Sequence, residues 1–96
     1  MSDEATQSLA AARRIDARCD EFEVALAAGQ SPVIESFLAG LPPQERHTLL
    51  LELMGLEVDF RITRSERPTA GDYASRFPEL SAEQIAAVLD GSRRLE

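Results

Sequence analysis

Apolar residues recur at steps of three and four along the first third of the chain: Leu9, Ala12, Ile15, Cys19, Phe22 and Leu26. This spacing predicts one amphipathic helix from about Asp3 to Ala28. Ser2 or Asp3 is the expected N-cap, and Gly29 the left-handed stop. Ser31-Pro32 then restarts the chain, with Ser as cap and Pro at the first helical position. The second helix is short and ends at Gly40, before the turn Leu41-Pro42-Pro43.

The third element, Pro43 to about Arg64, carries two apolar stripes. Leu51, Met54, Val58 and Ile62 form one; Leu49, Leu50, Leu53, Leu56 and Phe60 form the other. Such a helix needs neighbours on both sides, so it is expected to be the central one. Its polar strip is Thr48, Glu52, Gly55 and Asp59. Gly55 costs about 1 kcal/mol relative to Ala in a helix interior, which fits either an exposed position or the close approach of another helix. Thr69 with Asp72, and Ser81 with Gln84, have capping-box spacing. They start a fourth helix, Ala70 to Arg76, and a fifth, Ala82 to Asp90, closed by Gly91. No segment alternates with period two, so no strand is predicted. The fold class is all-α, a compact bundle of about five helices.

"PVIESFLAGLP", Pro32 to Pro42, returns thirty-six residues later as "PTAGDYASRFP", Pro68 to Pro78. At the same offset Phe22 falls on Val58, Leu26 on Ile62, Leu49 on Ile85 and Leu53 on Leu89. The third helix therefore closes one unit and opens the next, and Phe37 and Tyr73 are the expected structural wedges of the two short helices. A period near 34 also suits a tetratricopeptide-type solenoid. Against that, its signature Trp, Gly and Ala positions are missing, and fewer than three repeats rarely stand alone. A bundle with internal pseudo-symmetry, a solenoid and chance similarity all stay open.

Composition narrows the class rather than the activity. Ninety-six residues suit one domain, here residues 1–94. Leu95-Glu96 reads as an expression-tag scar, so the chain is expected to be the N-terminal part of a longer protein. Its net charge of −7 disfavours a phosphate backbone, so nucleic acid is not an expected partner. No apolar run approaches a membrane span, the start lacks signal-peptide features, and one cysteine permits no internal disulfide. A cytoplasmic protein without membrane contact follows as the expectation.

Few residues offer chemistry. His47 is the only histidine, and it has no metal-motif spacing with Cys19. It reads as a surface residue, and Cys19 as a small hydrophobe on the apolar face of the first helix. The five glycines stand alone and there is no Lys, so no phosphate cradle is present. Glu57 lies among apolar neighbours, where an acid can serve general acid/base chemistry, but Arg61 one turn on favours an ion pair. No catalytic residue, metal ligand or cofactor is expected. Arg61, Arg64 and Arg67, with Arg13 and Arg14 on the first helix, are the candidate partner contacts. Because the apolar stripes are consumed internally, a monomer or weak dimer is expected.

Three stretches carry a family resemblance: "CDEFEVALAAGQSPVIESFL" (Cys19 to Leu38), "LLLELMGLEVDFR" (Leu49 to Arg61) and "RPTAGDYASRFPEL" (Arg67 to Leu80). Together they resemble the helical N-terminal extension found ahead of the catalytic domain in planctomycete-type bacterial serine/threonine protein kinases. One departure is Leu26, where the family often carries Trp. The resemblance implies a non-catalytic interaction or regulatory module whose partner is a protein, either its own kinase domain, a copy of itself or an upstream protein. ATP binding would belong to the full-length kinase alone, since no Gly-rich loop, His-Arg-Asp or Asp-Phe-Gly motif occurs here. The alternative is a free-standing adaptor or homotypic assembly domain, death-fold-like or tetratricopeptide-like.

Overall fold

In a computed structural model of the chain, the structure describes residues 3–93, with side chains from residue 9 to residue 91. The cap expected at Ser2 or Asp3 and the ending Leu95-Glu96 lie outside the residues so described. Among the described residues five helices follow one another: α1 Asp3–Ala27, α2 Ile34–Phe37, α3 Pro43–Thr63, α4 Ala70–Arg76 and α5 Ala82–Arg93. No strand occurs among the described residues. The fold is all-α.

The chain divides into two compact units, Met1–Leu53 and Met54–Glu96. The boundary falls inside α3, which gives its first half to one unit and its second half to the other. In the first unit the core is Phe22, Leu26, Ile34, Leu38, Leu49, Leu50 and Leu53; in the second it is Met54, Val58, Tyr73, Phe77, Leu80, Ile85 and Leu89. Phe22 and Val58, Leu49 and Ile85, Leu53 and Leu89 are buried as pairs at the offset of 36.

The repeat extends to the helix ends. α1 stops in a Schellman motif: Gln30 N–H donates to the Ala25 carbonyl, Gly29 N–H donates to that of Leu26, and Gly29 has φ +75. Thirty-six residues on, Glu66 N–H donates to the Arg61 carbonyl and Ser65 N–H to that of Ile62, with Ser65 at φ 67. The same six-residue cap closes both long helices, once with Gly and once with Ser in the left-handed position. Both capping boxes form as the spacing predicts. Asp72 N–H donates to Thr69 Oγ1, and Thr69 N–H to Asp72 Oδ2; Gln84 N–H donates to Ser81 Oγ, and Ser81 N–H to Gln84 Oε1.

Three expectations are corrected. α2 is one turn, Ile34–Phe37, rather than a helix capped by Ser31 and running to Gly40; Ser31 is left-handed at φ 53 and the N-cap is Val33. Burial of Ile34 and Leu38, one turn apart, sets where the turn begins. α5 passes through Gly91 to Arg93, because Gly91 keeps an ordinary helical backbone and does not reverse the chain. The apolar stripe of α1 is only half used: Phe22 and Leu26 are buried, Ile15 and Cys19 half-buried, and Ala12 and Leu9 exposed.

Candidate functional site

The polar side chains of the second unit converge between α3 and α4. Tyr73, fully buried, donates its hydroxyl to Glu57 Oε1 at 2.9 Å. Arg76 Nη1 donates to the same oxygen at 2.9 Å. Arg61 Nη1 donates to the Tyr73 hydroxyl oxygen at 3.3 Å, and its other nitrogens reach Glu66 and Asp72. The Arg61 and Arg76 guanidiniums lie 5.9 and 5.7 Å from the Tyr73 ring centre, within cation–π range. Among the described residues no buried side-chain nitrogen or oxygen lacks a hydrogen-bond partner.

The same contacts set the charge states of the groups that make them. Burial raises the Tyr73 hydroxyl to about 12, against a weaker pull from Arg61 in the other direction. The bond to Tyr73 raises the Arg61 guanidinium above its ordinary range. The Thr69 backbone N–H holds Asp72 below the usual carboxylate range. Every one of these shifts fixes the protonation state that the hydrogen bonds require. Glu57 pairs with Arg76 across the sequence rather than with Arg61 one turn on, because the Tyr73 hydroxyl occupies the nearer guanidinium.

The candidate contact arginines separate accordingly. Arg61 is committed within the second unit, its side chain only 26% exposed. Arg64 is exposed and rests on the Phe60 ring at 5.5 Å, and Arg67 is exposed. In the first unit Arg13 is exposed, while Arg14 pairs with Glu45 in the first turn of α3 at 2.8 Å with half its side chain still exposed. The proposed wedges also differ. Tyr73 is fully buried, whereas Phe37 is half-buried and meets Phe22 edge to face at 5.3 Å. Ile34 and Leu38 do the burying in α2.

Arg18 is a residue the sequence reading passed over. It donates Nη1 to the Phe37 carbonyl and, at 3.1 Å, to that of Ala39, so it caps the end of α2 from α1. Its position, between Ile15 and Phe22 on the apolar face, was the available signal: a cation there needs acceptors. Beside it lies a groove of about 460 Å³ lined by Arg14, Ala17, Arg18, Glu21, Ser36 and Phe37.

Cys19 is half-buried. Burial, with the nearby Glu52 and Asp16 carboxylates, raises its thiol to about 11, so little thiolate exists near neutrality. His47 is half-buried rather than a surface residue. Among the described residues no three His, Cys, Asp or Glu side chains are grouped to hold a metal, and no helix is long and apolar enough to cross a membrane. Compared with protein-family models, curated proteins and solved structures, the chain matches none.

Proposed function

We propose that this chain is a non-catalytic protein-recognition module, of the kind that stands ahead of the catalytic domain in planctomycete-type serine/threonine kinases. The observation that carries the reading is the division of labour among its polar side chains. Glu57, Arg61, Tyr73 and Arg76, the residues best suited to chemistry, are consumed in holding α4 to α3. Arg13, Arg64 and Arg67 stay on the surface of an acidic chain, where charge sets association rate and specificity. The residues that carry the family resemblance, among them Phe22, Gly29, Ile34, Tyr73 and Phe77, are the ones that build the two units. A cytoplasmic setting and an upstream or intramolecular protein partner belong to the same proposal.

The test is a deletion of residues up to Leu80 in the full-length protein, followed by kinase activity and partner capture. Retained catalytic competence with lost recruitment or altered regulation supports the module. Phosphotransfer or nucleotide hydrolysis by the purified 96-residue chain would overturn it.

A further inference from the structure

We infer that the α1 face carrying Arg14, Ala17 and Glu21 recognises the same face of a second copy of this chain, the two α1 helices running antiparallel. This rests on the recognition-module reading and names the partner. Arg14, Ala17, Arg18 and Glu21 stand at i, i+3, i+4 and i+7, on one side of α1, and together form one wall of the groove whose other wall is Ser36 and Phe37. Ala17 at the middle is small and exposed, so a second helix can come close. Arg14 lies on one side of it and Glu21 on the other, seven residues or about 10.5 Å apart along the helix.

The order of charges selects the partner and its direction. A parallel copy would set Arg14 against Arg14 and Glu21 against Glu21. Turned about a two-fold axis between Ala17 and Arg18, each Arg14 meets the Glu21 of the other copy, which is the reciprocal contact an isologous interface requires. The neighbours repeat the pattern, with Arg13 on the basic side and Asp20 on the acidic side, both exposed. Val24, 69% exposed one turn beyond Glu21, adds apolar surface at each end of the seam. Glu21 is exposed and enters no ion pair among the described residues. Arg14 uses Nε and Nη2 on Glu45 and keeps half its side chain exposed. A seam of this length is small, and small interfaces are weak.

Sedimentation equilibrium of the 96-residue chain tests it, with circular dichroism to check folding. The expected result is a weak, reversible dimer that dissociates on dilution. Glu21→Arg and Arg14→Glu, each alone, create two like-charge contacts and should weaken it about tenfold or more. An equimolar mixture of these two variants should associate again, because both contacts in the mixed dimer are then attractive. Ala17→Arg, at an exposed position, should block the close approach. If Arg14→Glu unfolds through loss of its Glu45 pair, Glu21→Arg and Ala17→Arg decide the matter. A chain monomeric to about 1 mM, or a dimer indifferent to these variants, overturns the inference. So does a monomer that takes up a different protein segment in the groove, although that leaves the recognition-module reading standing. A chain that neither self-associates nor, within the full-length protein, recruits any partner defeats both.

Discussion

In the Met1–Leu53 unit the short helix α2 is held by main-chain acceptors, in that Arg18 reaches from α1 to the carbonyls of Phe37 and Ala39. In the Met54–Glu96 unit the equivalent helix α4 is held by side chains, through Tyr73, Glu57, Arg61 and Arg76. At the offset of 36, Tyr73 stands for Phe37, Arg61 for Ala25 and Arg76 for Gly40, while Glu57 keeps the acid of Glu21. The same backbone plan is thus closed twice, with a polar lock in one copy and a half-open aromatic contact in the other. Where the lock is absent, the groove appears, and Glu21 faces solvent instead of a tyrosine hydroxyl. The two units thus share a backbone plan and differ in which side chains close it.

The strongest way to break this comparison is to truncate the two aromatics. Tyr73→Ala removes a fully buried ring and should cost about 3–5 kcal/mol. Phe37→Ala removes a half-buried ring and one edge-to-face contact, for about 1–2 kcal/mol. Urea titrations of both variants decide it. Equal losses would mean that the wedges are equivalent after all.

Next in size is the lock itself. Glu57→Ala removes the carboxylate that accepts from the fully buried Tyr73 hydroxyl and should cost about 2–3 kcal/mol. Arg14→Ala, which breaks the more exposed pair with Glu45, should cost about 0–1 kcal/mol. Alkaline titration sharpens the contrast. Tyr73 titrates near 12 in the folded chain but near 10 unfolded, so the unfolded state loses its proton first. Stability contributed by the neutral phenol is complete below about pH 10 and declines as pH rises toward 12. Tyr73→Phe should flatten that decline, and an unchanged alkaline slope would show that the hydroxyl is not protected.

Most of the first-order architecture was legible because its determinants are local. Gly29 ended α1, and Thr69 and Ser81 opened α4 and α5, through atoms within three or four residues of each other. The register of α2 was misread from Ser31-Pro32, although the repeat already placed Val33 opposite the cap Thr69. Two copies constrain each other, and the better-capped one sets the frame. The Glu57–Arg76 pair was not legible, since it joins positions nineteen residues apart and competes with a favourable one-turn pairing to Arg61. A tyrosine replacing phenylalanine in the second copy was still a hint, because a buried hydroxyl must find an acceptor. The groove had no sequence signal beyond Ala17 and Arg18 interrupting what α3 repeats as Leu53 and Met54.

A smaller effect separates the two Schellman ends. Gly29 and Ser65 occupy the same left-handed position at φ +75 and φ 67. For a residue with a Cβ that conformation costs about 1 kcal/mol or more. Ser65→Gly should therefore stabilise the chain by about 0.5–1 kcal/mol, and Gly29→Ala should destabilise it by about 1 kcal/mol. Opposite signs in paired thermal melts are the expected outcome. If both substitutions destabilise, Ser65 is held by interactions that the Gly-capped end does not need.

The smallest expected effect lies at the starts of the short helices. Thr69 and Val33 are equivalent N-caps, both extended, with φ −117, ψ 159 and φ −102, ψ 118. Thr69 accepts from Asp72 N–H, but Val33 has no side-chain acceptor, and Ser36 bonds back to the Val33 carbonyl instead. Val33 is 53% exposed, so replacing it sacrifices little apolar burial. Val33→Thr should thus install the missing cap and stabilise by about 0.5 kcal/mol, toward the low end of capping energies because α2 has only one turn to benefit. Thr69→Val should cost about 1 kcal/mol in the seven-residue α4. Denaturant midpoints of the two variants and the parent measure both changes. A Val33→Thr chain no more stable than the parent would show that burial of Ile34 and Leu38, rather than end-capping, already fixes the α2 turn.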